Sequence, residues 1–158
     1  MFLDKKQIGS VEGVDINAIS FTNDNNFVVS FYNFGGYIHS ILIPYKKNPD
    51  IFEDVLLGYN KFKDCQISQG YFNCVIGRVG NRIANAEFEL NNKKYKLFKN
   101  AGNNHLHGGQ FGFDRKIWNI NAIKKKKNEL SCELGYFSKH LEEGYPGNLN
   151  CKVTYTLN

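Results

Sequence analysis

Alternation with a period of two runs through this chain and constrains its fold more than any other feature. In "LSCELGY", Leu130, Cys132, Leu134 and Tyr136 fall on one side. In "CKVTYTL", Cys151, Val153, Tyr155 and Leu157 share a side, and Lys152, Thr154 and Thr156 take the other. In "IWNINAI", Trp118, Ile120 and Ala122 alternate with Asn119 and Asn121. Successive side chains of a strand point to opposite faces, so each pattern is that of a half-buried strand. "FVVSFYNFGGYIHSILIP" reads as two strands broken at Gly35-Gly36. "FELNNKKYKL" reads as a hairpin turning at Asn91-Asn92, because Asn tolerates positive φ. No segment carries a long helical period, although Asp54 to Cys65 has room for one short helical turn. The expectation is one all-β, antiparallel domain, or a piece of one, over residues 1–158.

Composition narrows the class of partner. Aromatic residues make up 15% of the chain, with 13 Phe and 9 Tyr. Such rings favour pleated, half-buried surfaces, and they also offer faces for a sugar or a base to stack on. The net charge of +5 comes almost wholly from lysine, since Arg78, Arg82 and Arg115 are the only arginines. Readers of nucleic acid concentrate charge and use Arg for base edges and phosphates. Here the one dense cluster, Lys124 to Lys127, lies between two strand patterns and reads as a solvated hairpin tip, so no nucleic-acid partner is expected. No apolar run approaches membrane-spanning length, and charge arrives at Asp4, too early for a signal-peptide core. A cytoplasmic protein without a membrane partner is expected. The four cysteines form no CxxC pair. Cys132 and Cys151 lie on apolar strand faces and read as small core hydrophobes.

The stretch "NNHLHGGQFGFD", Asn103 to Asp114, has three readings: a metal site, a packed turn, or a polar wall for a ligand. If extended, it would point His105 and His107 to one side, but zinc needs a third or fourth ligand, and no carboxylate or cysteine stands in register. Gly108 and Gly109 lack the spacing of a phosphate-binding loop, and a turn needing positive φ explains them. In "GRVGNRIANAEFEL", Gly77 to Leu90, Arg78 and Arg82 stand four apart. Either an ion pair such as Arg82 with Glu87 anchors a strand, or a planar donor fork faces a cleft. The residues alone leave that choice open.

Together, "GRVGNRIANAEFEL", "NNHLHGGQFGFDRKIW", and "EEGYPGNL" followed by "VTYTL" resemble the aldose 1-epimerase family, the galactose mutarotases. The order and spacing fit from the strands near Phe27 to the last residue. The resemblance implies a large antiparallel β-sandwich, present here as its N-terminal part. It implies interconversion of the α and β anomers of free hexoses such as glucose and galactose, with no metal or cofactor. Carried over by position, Asn81 and Arg82 match the family's substrate-contacting Asn-Arg pair, and His107 matches the histidine of Leu-His-Gly-Gly that faces the sugar. Phe111, Phe113 and Trp118 are then expected to pack beneath His107, and His105 to be a surface or supporting residue. The family's acid histidine and base glutamate lie beyond the Thr-Tyr-Thr-Leu strand. The resemblance therefore implies that this chain holds substrate-binding residues and neither principal catalyst, and that alone it is weak or inactive. The chain departs from the family at Ser138-Lys139-His140-Leu141, where Ser-Pro-Asp-Gly is common, and at Gly80, where Ala is common. Other readings are a non-catalytic carbohydrate-binding module of the same fold and a relative that takes a phosphorylated hexose. Self-association through uncovered strands is also expected.

Overall fold

A computed structural model describes residues 1–68 and 70–158. The chain opens with a five-stranded antiparallel meander: β1 (Phe2–Val11), β2 (Val14–Thr22), β3 (Val28–Tyr32), β4 (Ile38–Tyr45) and β5 (Asn48–Asp54). A short α-helix, α1 (Phe62–Ile67), comes after it. Short pieces come next: β6 (Arg82–Ile83), the hairpin of β7 (Glu87–Leu90) with β8 (Lys93–Lys96), and β9 (His105–Leu106), which pairs with β6. A three-stranded antiparallel meander of β10 (Asn119–Lys126), β11 (Glu129–Ser138) and β12 (Leu149–Leu157) completes the order. No helix among the described residues is long and apolar enough to cross a membrane.

The core lies where the two meanders meet. Ile19 and Phe21 from β2 and Phe31 from β3 pack with Leu130, Cys132 and Leu134 from β11, together with Phe113 and Trp118. The period-two pattern supplies both sides of this contact, so the apolar faces have to be set against each other. Phe21 and Phe31 meet edge-on with ring centroids 5.3 Å apart, and Phe113 meets Trp118 in the same way at 5.7 Å. Burying each such side chain is worth about 1.5–3 kcal/mol. Burial also pushes the Cys132 thiol up to about 11, so it stays a neutral packing group at physiological pH, as its place in the pattern predicts.

The structure departs from the expected strands in two places. Between Ile120 and Ala122 the β10–β11 register slips by one residue at a bulge. A bulge inserts one residue and flips the phase of the rest of the strand, so Ile123 rather than Ala122 joins Ile120 against the core. The helical turn expected between Asp54 and Cys65 runs from Phe62 to Ile67 instead. Its Phe62 ring sits over Gly9, where an added Cβ would come within 3.2 Å of it, so the absence of a side chain in β1 lets the helix approach. The Asn91-Asn92 turn has φ of 52° and 60°, as its residues predict, and the lysine run lies at the β10–β11 turn.

Candidate functional site

Two backbone pieces far apart in sequence are stitched together at the β6–β9 ladder, with Arg82 opposite Leu106 and Ile83 opposite His105. One residue beyond the ladder, His107 N–H donates to Asn81 O at 3.0 Å. Asn81 N–H donates in return to His107 Nδ1 at 2.9 Å. Both residues sit in the left-handed region, with φ of 64° at Asn81 and 51° at His107. Few side chains adopt that conformation without a compensating contact. Here the reciprocal pair of hydrogen bonds compensates for it.

That pairing decides what His107 offers. A backbone N–H can only donate, so Nδ1 is the bare acceptor and the neutral ring carries its proton on Nε2. The ring is half-buried, and Tyr71 packs against it with centroids 4.7 Å apart. Arg82 is exposed. Among the described residues its side chain takes part in one hydrogen bond, from Nη1 to Asn81 Oδ1 at 3.3 Å. Among the described residues it forms no ion pair with Glu87 or any other carboxylate. Asn81, Arg82 and His107 are thus brought together by hydrogen bonds and sequence adjacency, with the guanidinium and a ring N–H free to donate.

The other arginine of the pair is an anchor. Arg78 Nε donates to Ser138 Oγ at 2.8 Å, Nη1 to Pro146 O at 3.0 Å, and Nη2 to the carbonyls of Ser138 and Lys139 at 3.0 and 2.7 Å. This planar fork, matched to fixed carbonyls, ties the Gly77–Asn81 segment to the end of β11. Sequence spacing alone leaves the two arginines equivalent. Which backbone carbonyls surround each one is a tertiary fact.

His105 corrects the expectation of one shared side. His107 leaves the extended conformation, and His105 turns inward with no exposure at all. Its Nδ1 lies 2.8 Å from Phe98 O, so it must donate there. Nε2 is then the acceptor for Tyr145 Oη at 2.7 Å. It is a supporting residue, not a surface one. Among the described residues, no cluster of three or more potential metal ligands occurs.

Four further residues shape the turn after His107. Asn100 accepts from Leu106 N–H at 2.7 Å and donates to Leu106 O and Gly109 O at 2.8 and 2.9 Å, acting as a side-chain substitute for a neighbouring strand. Glu143 accepts from the N–H groups of Gln110 and Phe111 at 2.9 and 3.1 Å. Gly108 and Gly109 have φ of 90° and 116°. A Cβ at Gly108 would overlap the carbonyl oxygen of Gly77, and one at Gly109 would overlap the Glu143 carboxylate. Glycine is required here by close approach as well as by φ. Phe113 and Trp118 are buried as expected, but Phe111 is 56% exposed. The Glu143 clamp holds the backbone of Phe111 at the surface, which keeps its ring from packing beneath.

Neighbouring Glu142 accepts from Tyr136, Ser138 and Lys116 Nζ, the last at 2.9 Å. Burial works to raise this carboxyl, but those partners outweigh it and hold it below its ordinary value of 4.5. His140 Nδ1 accepts from Gly147 N–H at 2.8 Å, and the His140 backbone N–H reaches Asn148 Oδ1 at 2.8 Å. It closes the loop between β11 and β12.

The sequence model of the family described as aldose 1-epimerase matches residues 17–158. This chain belongs to the aldose 1-epimerase family. Across 98% of its length it is 36% identical to an aldose 1-epimerase of Haemophilus influenzae, of which it covers 43%. Over 66% of its length it is 44% identical to a galactose mutarotase of Sus scrofa, covering 29% of that protein. The fold matches a galactose 1-epimerase from Lactobacillus acidophilus with a TM-score of 0.87 at 23% identity, over 99% of this chain and 45% of the other. The chain thus has the galactose mutarotase fold, and it spans less than half the length of these relatives. The Asn81-Arg82 and His107 positions of this aldose 1-epimerase relative all fall within the matched residues.

Proposed function

We propose that the face formed by Asn81, Arg82 and His107 binds a free hexose such as glucose or galactose. On this reading the chain supplies the hydrogen-bond-donating part of an aldose 1-epimerase site. The observation that carries it is the bond from Asn81 N–H to His107 Nδ1, which commits Nε2–H to donation, while Arg82, adjacent to Asn81 in sequence, has a guanidinium with no ion pair among the described residues. Sugar oxygens are acceptors, and fixed donors next to one another suit them.

Anomer exchange needs little more than proton traffic. A base takes the proton from the anomeric hydroxyl while an acid protonates the ring oxygen. The C1–O5 bond breaks, an aldehyde forms, the C1–C2 bond rotates, and the steps reverse with no net change in protons. Acid and base must each lie within hydrogen-bond reach and have a pKa near working pH. Donors such as Arg82 and His107 Nε2–H steady the oxygen on which charge develops. Neither makes a good base, because the guanidinium keeps its protons and His107 Nδ1 is occupied by Asn81. The principal acid histidine and base glutamate belong, on this proposal, to the part of the family's fold outside these residues. The chain alone would then bind sugar with little turnover. The second reading, a non-catalytic carbohydrate-binding module, shares this site and draws on the same shortage of a base.

Polarimetry of freshly dissolved α-D-glucose and α-D-galactose, paired with calorimetric sugar binding, separates these readings. Millimolar binding that weakens roughly tenfold in Arg82→Ala, as expected for one lost charged hydrogen bond, supports the site. A rate barely above the heat-denatured control supports the missing acid and base. Binding unaffected by Arg82→Ala would overturn the site. Rapid anomer exchange would show that an acid and a base lie within these residues.

A further inference from the structure

Three polar side chains at the end of β11 and the loop after it form a directed series. Arg78 Nε donates to Ser138 Oγ at 2.8 Å. A guanidinium can only donate, so the hydroxyl accepts there and gives its single proton to Glu142 Oε2. Tyr136 and Lys116 Nζ meet the other oxygen, Glu142 Oε1, the lysine at 2.9 Å. The order is therefore fixed: Arg78 to Ser138 to the Glu142 carboxylate. Ser138 has no exposure, so water does not stand in for its hydroxyl. Removing that hydroxyl would strand a donor and an acceptor at once.

The backbone beside the same arginine lies against the turn that begins at His107. Gly77 O accepts from Phe113 N–H at 3.2 Å. Gly108 presses so closely on that carbonyl that a Cβ there would lie 1.6 Å from the oxygen. Gly77 is buried and Arg78 half-buried, whereas Val79, Gly80 and Asn81 are exposed. A Cβ at Gly80 would meet Ile76 at 3.6 Å, an ordinary contact, so packing does little to place this short run. Its placement comes from the Arg78 fork on one side and the β6–β9 ladder on the other. Asn81 needs that placement. Its φ of 64° persists where the surroundings hold it, and a modest rotation there would swing its N–H away from His107.

We propose that Arg78 is a positioning residue for the hexose face: braced by Ser138 and Glu142, it aims the Asn81 N–H at His107 Nδ1 and so keeps His107 Nε2–H available to the ligand. The ligand part of this rests on the hexose reading of that face. Arg78 touches no sugar on this account. Lysine is no substitute, because a point-like ammonium lacks the planar fork that reaches Ser138, Lys139 and Pro146 together.

The test compares the 158-residue chain with its Arg78→Lys and Ser138→Ala variants. The 15N–15N coupling transmitted through the bond from Asn81 N–H to His107 Nδ1 reads the aim directly, and calorimetry reads D-glucose affinity. The coupling should be present in the parent and lost in both variants. Glucose should bind roughly tenfold more weakly in both, the scale of one charged hydrogen bond. His105 should keep its proton on Nδ1, since Phe98 and Tyr145 hold that ring, and this separates lost aim from lost fold. Ser138→Ala, the smaller change, carries the test if Arg78→Lys does not fold. Coupling that persists in the folded variants, or that is absent from the parent, overturns the positioning role and leaves Arg78 an anchor alone. Weaker glucose binding with the coupling intact overturns it as well. If the parent binds no glucose, the hexose reading falls, and the coupling by itself then supports or overturns the role of Arg78.

Discussion

His105 and His107 stand two residues apart and carry their protons on opposite nitrogens. The Phe98 carbonyl requires a proton on His105 Nδ1, whereas the Asn81 N–H forbids one on neutral His107 Nδ1. Long-range 1H–15N correlation spectra should therefore show one Nδ1–H and one Nε2–H tautomer. The same tautomer on both rings would break the account of His107 as an outward donor. The neighbouring glycines permit a sharper test. Gly102 and Gly108 both have positive φ, but a Cβ at Gly102 meets nothing within 4 Å, whereas one at Gly108 overlaps the Gly77 backbone. Gly102→Ala should cost about 1 kcal/mol, the conformational part alone. Gly108→Ala should cost roughly 3 kcal/mol or more, because no flexible side chain can move aside. Chemical denaturation measures both, and equal costs would mean that the turn can rearrange away from Gly77.

At the scale of elements, loops that carry no regular pattern are held by single side chains. Arg78 binds the end of β11 and the loop after it through four hydrogen bonds, and Arg82 makes one to its neighbour. Arg78→Ala should therefore lose about 3 kcal/mol of stability, leaving several carbonyls without partners. Arg82→Ala should stay within about 0.5 kcal/mol of the parent, as an exposed substitution does. The reverse order would mean that the anchor has been misassigned. Glu142 fastens the same region to Tyr136, Ser138 and Lys116. Its carboxyl sits below its ordinary 4.5 in the folded chain, so its contribution is present above 4.5 and is lost as pH falls through the folded value. Glu142→Gln should flatten stability against pH in that acid window and leave a constant deficit above it. An unchanged acid limb would exclude Glu142 as its source.

These elements also show what is legible in the sequence. β11 and β12 can be read from alternation alone, because burial on one face is what sets the alternation. The bulge at Asn121 breaks the reading of β10, since one inserted residue leaves composition intact and reverses the faces. Asn81, Arg82 and His107 stand out through their motifs, and the structure brings them together. Asn100 and Glu143 carry no local signal. Their work is to bond backbone groups 6 to 33 residues away, and nothing in the neighbouring residues marks such a partner.

On the scale of the whole molecule, the sheets leave strands with neighbours on one side. Among the described residues, β12 pairs with β11 alone. Its inward residues Cys151, Val153, Tyr155 and Leu157 pack on the core, so the strand is ordered while its other edge has no strand partner among the described residues. An ordered edge with unpaired N–H and C=O groups is a template for another strand. Proteins commonly blunt such edges with lysine. Here Lys152 is drawn to Glu133 at 3.1 Å, on the sheet's own outer face, and Thr154 and Thr156 add no charge. We therefore expect concentration-dependent self-association through β12. Sedimentation velocity should show the weight-average coefficient rising with protein concentration. Thr154→Lys, at an exposed outward position, should hold the chain monomeric over the same range without loss of thermal stability. A concentration-independent monomer in the parent chain would show that the β12 edge is protected by something other than charge. Association that persists in Thr154→Lys would move the contact to another edge or to the apolar groove formed by Val79, Ile83, Phe88 and Leu90.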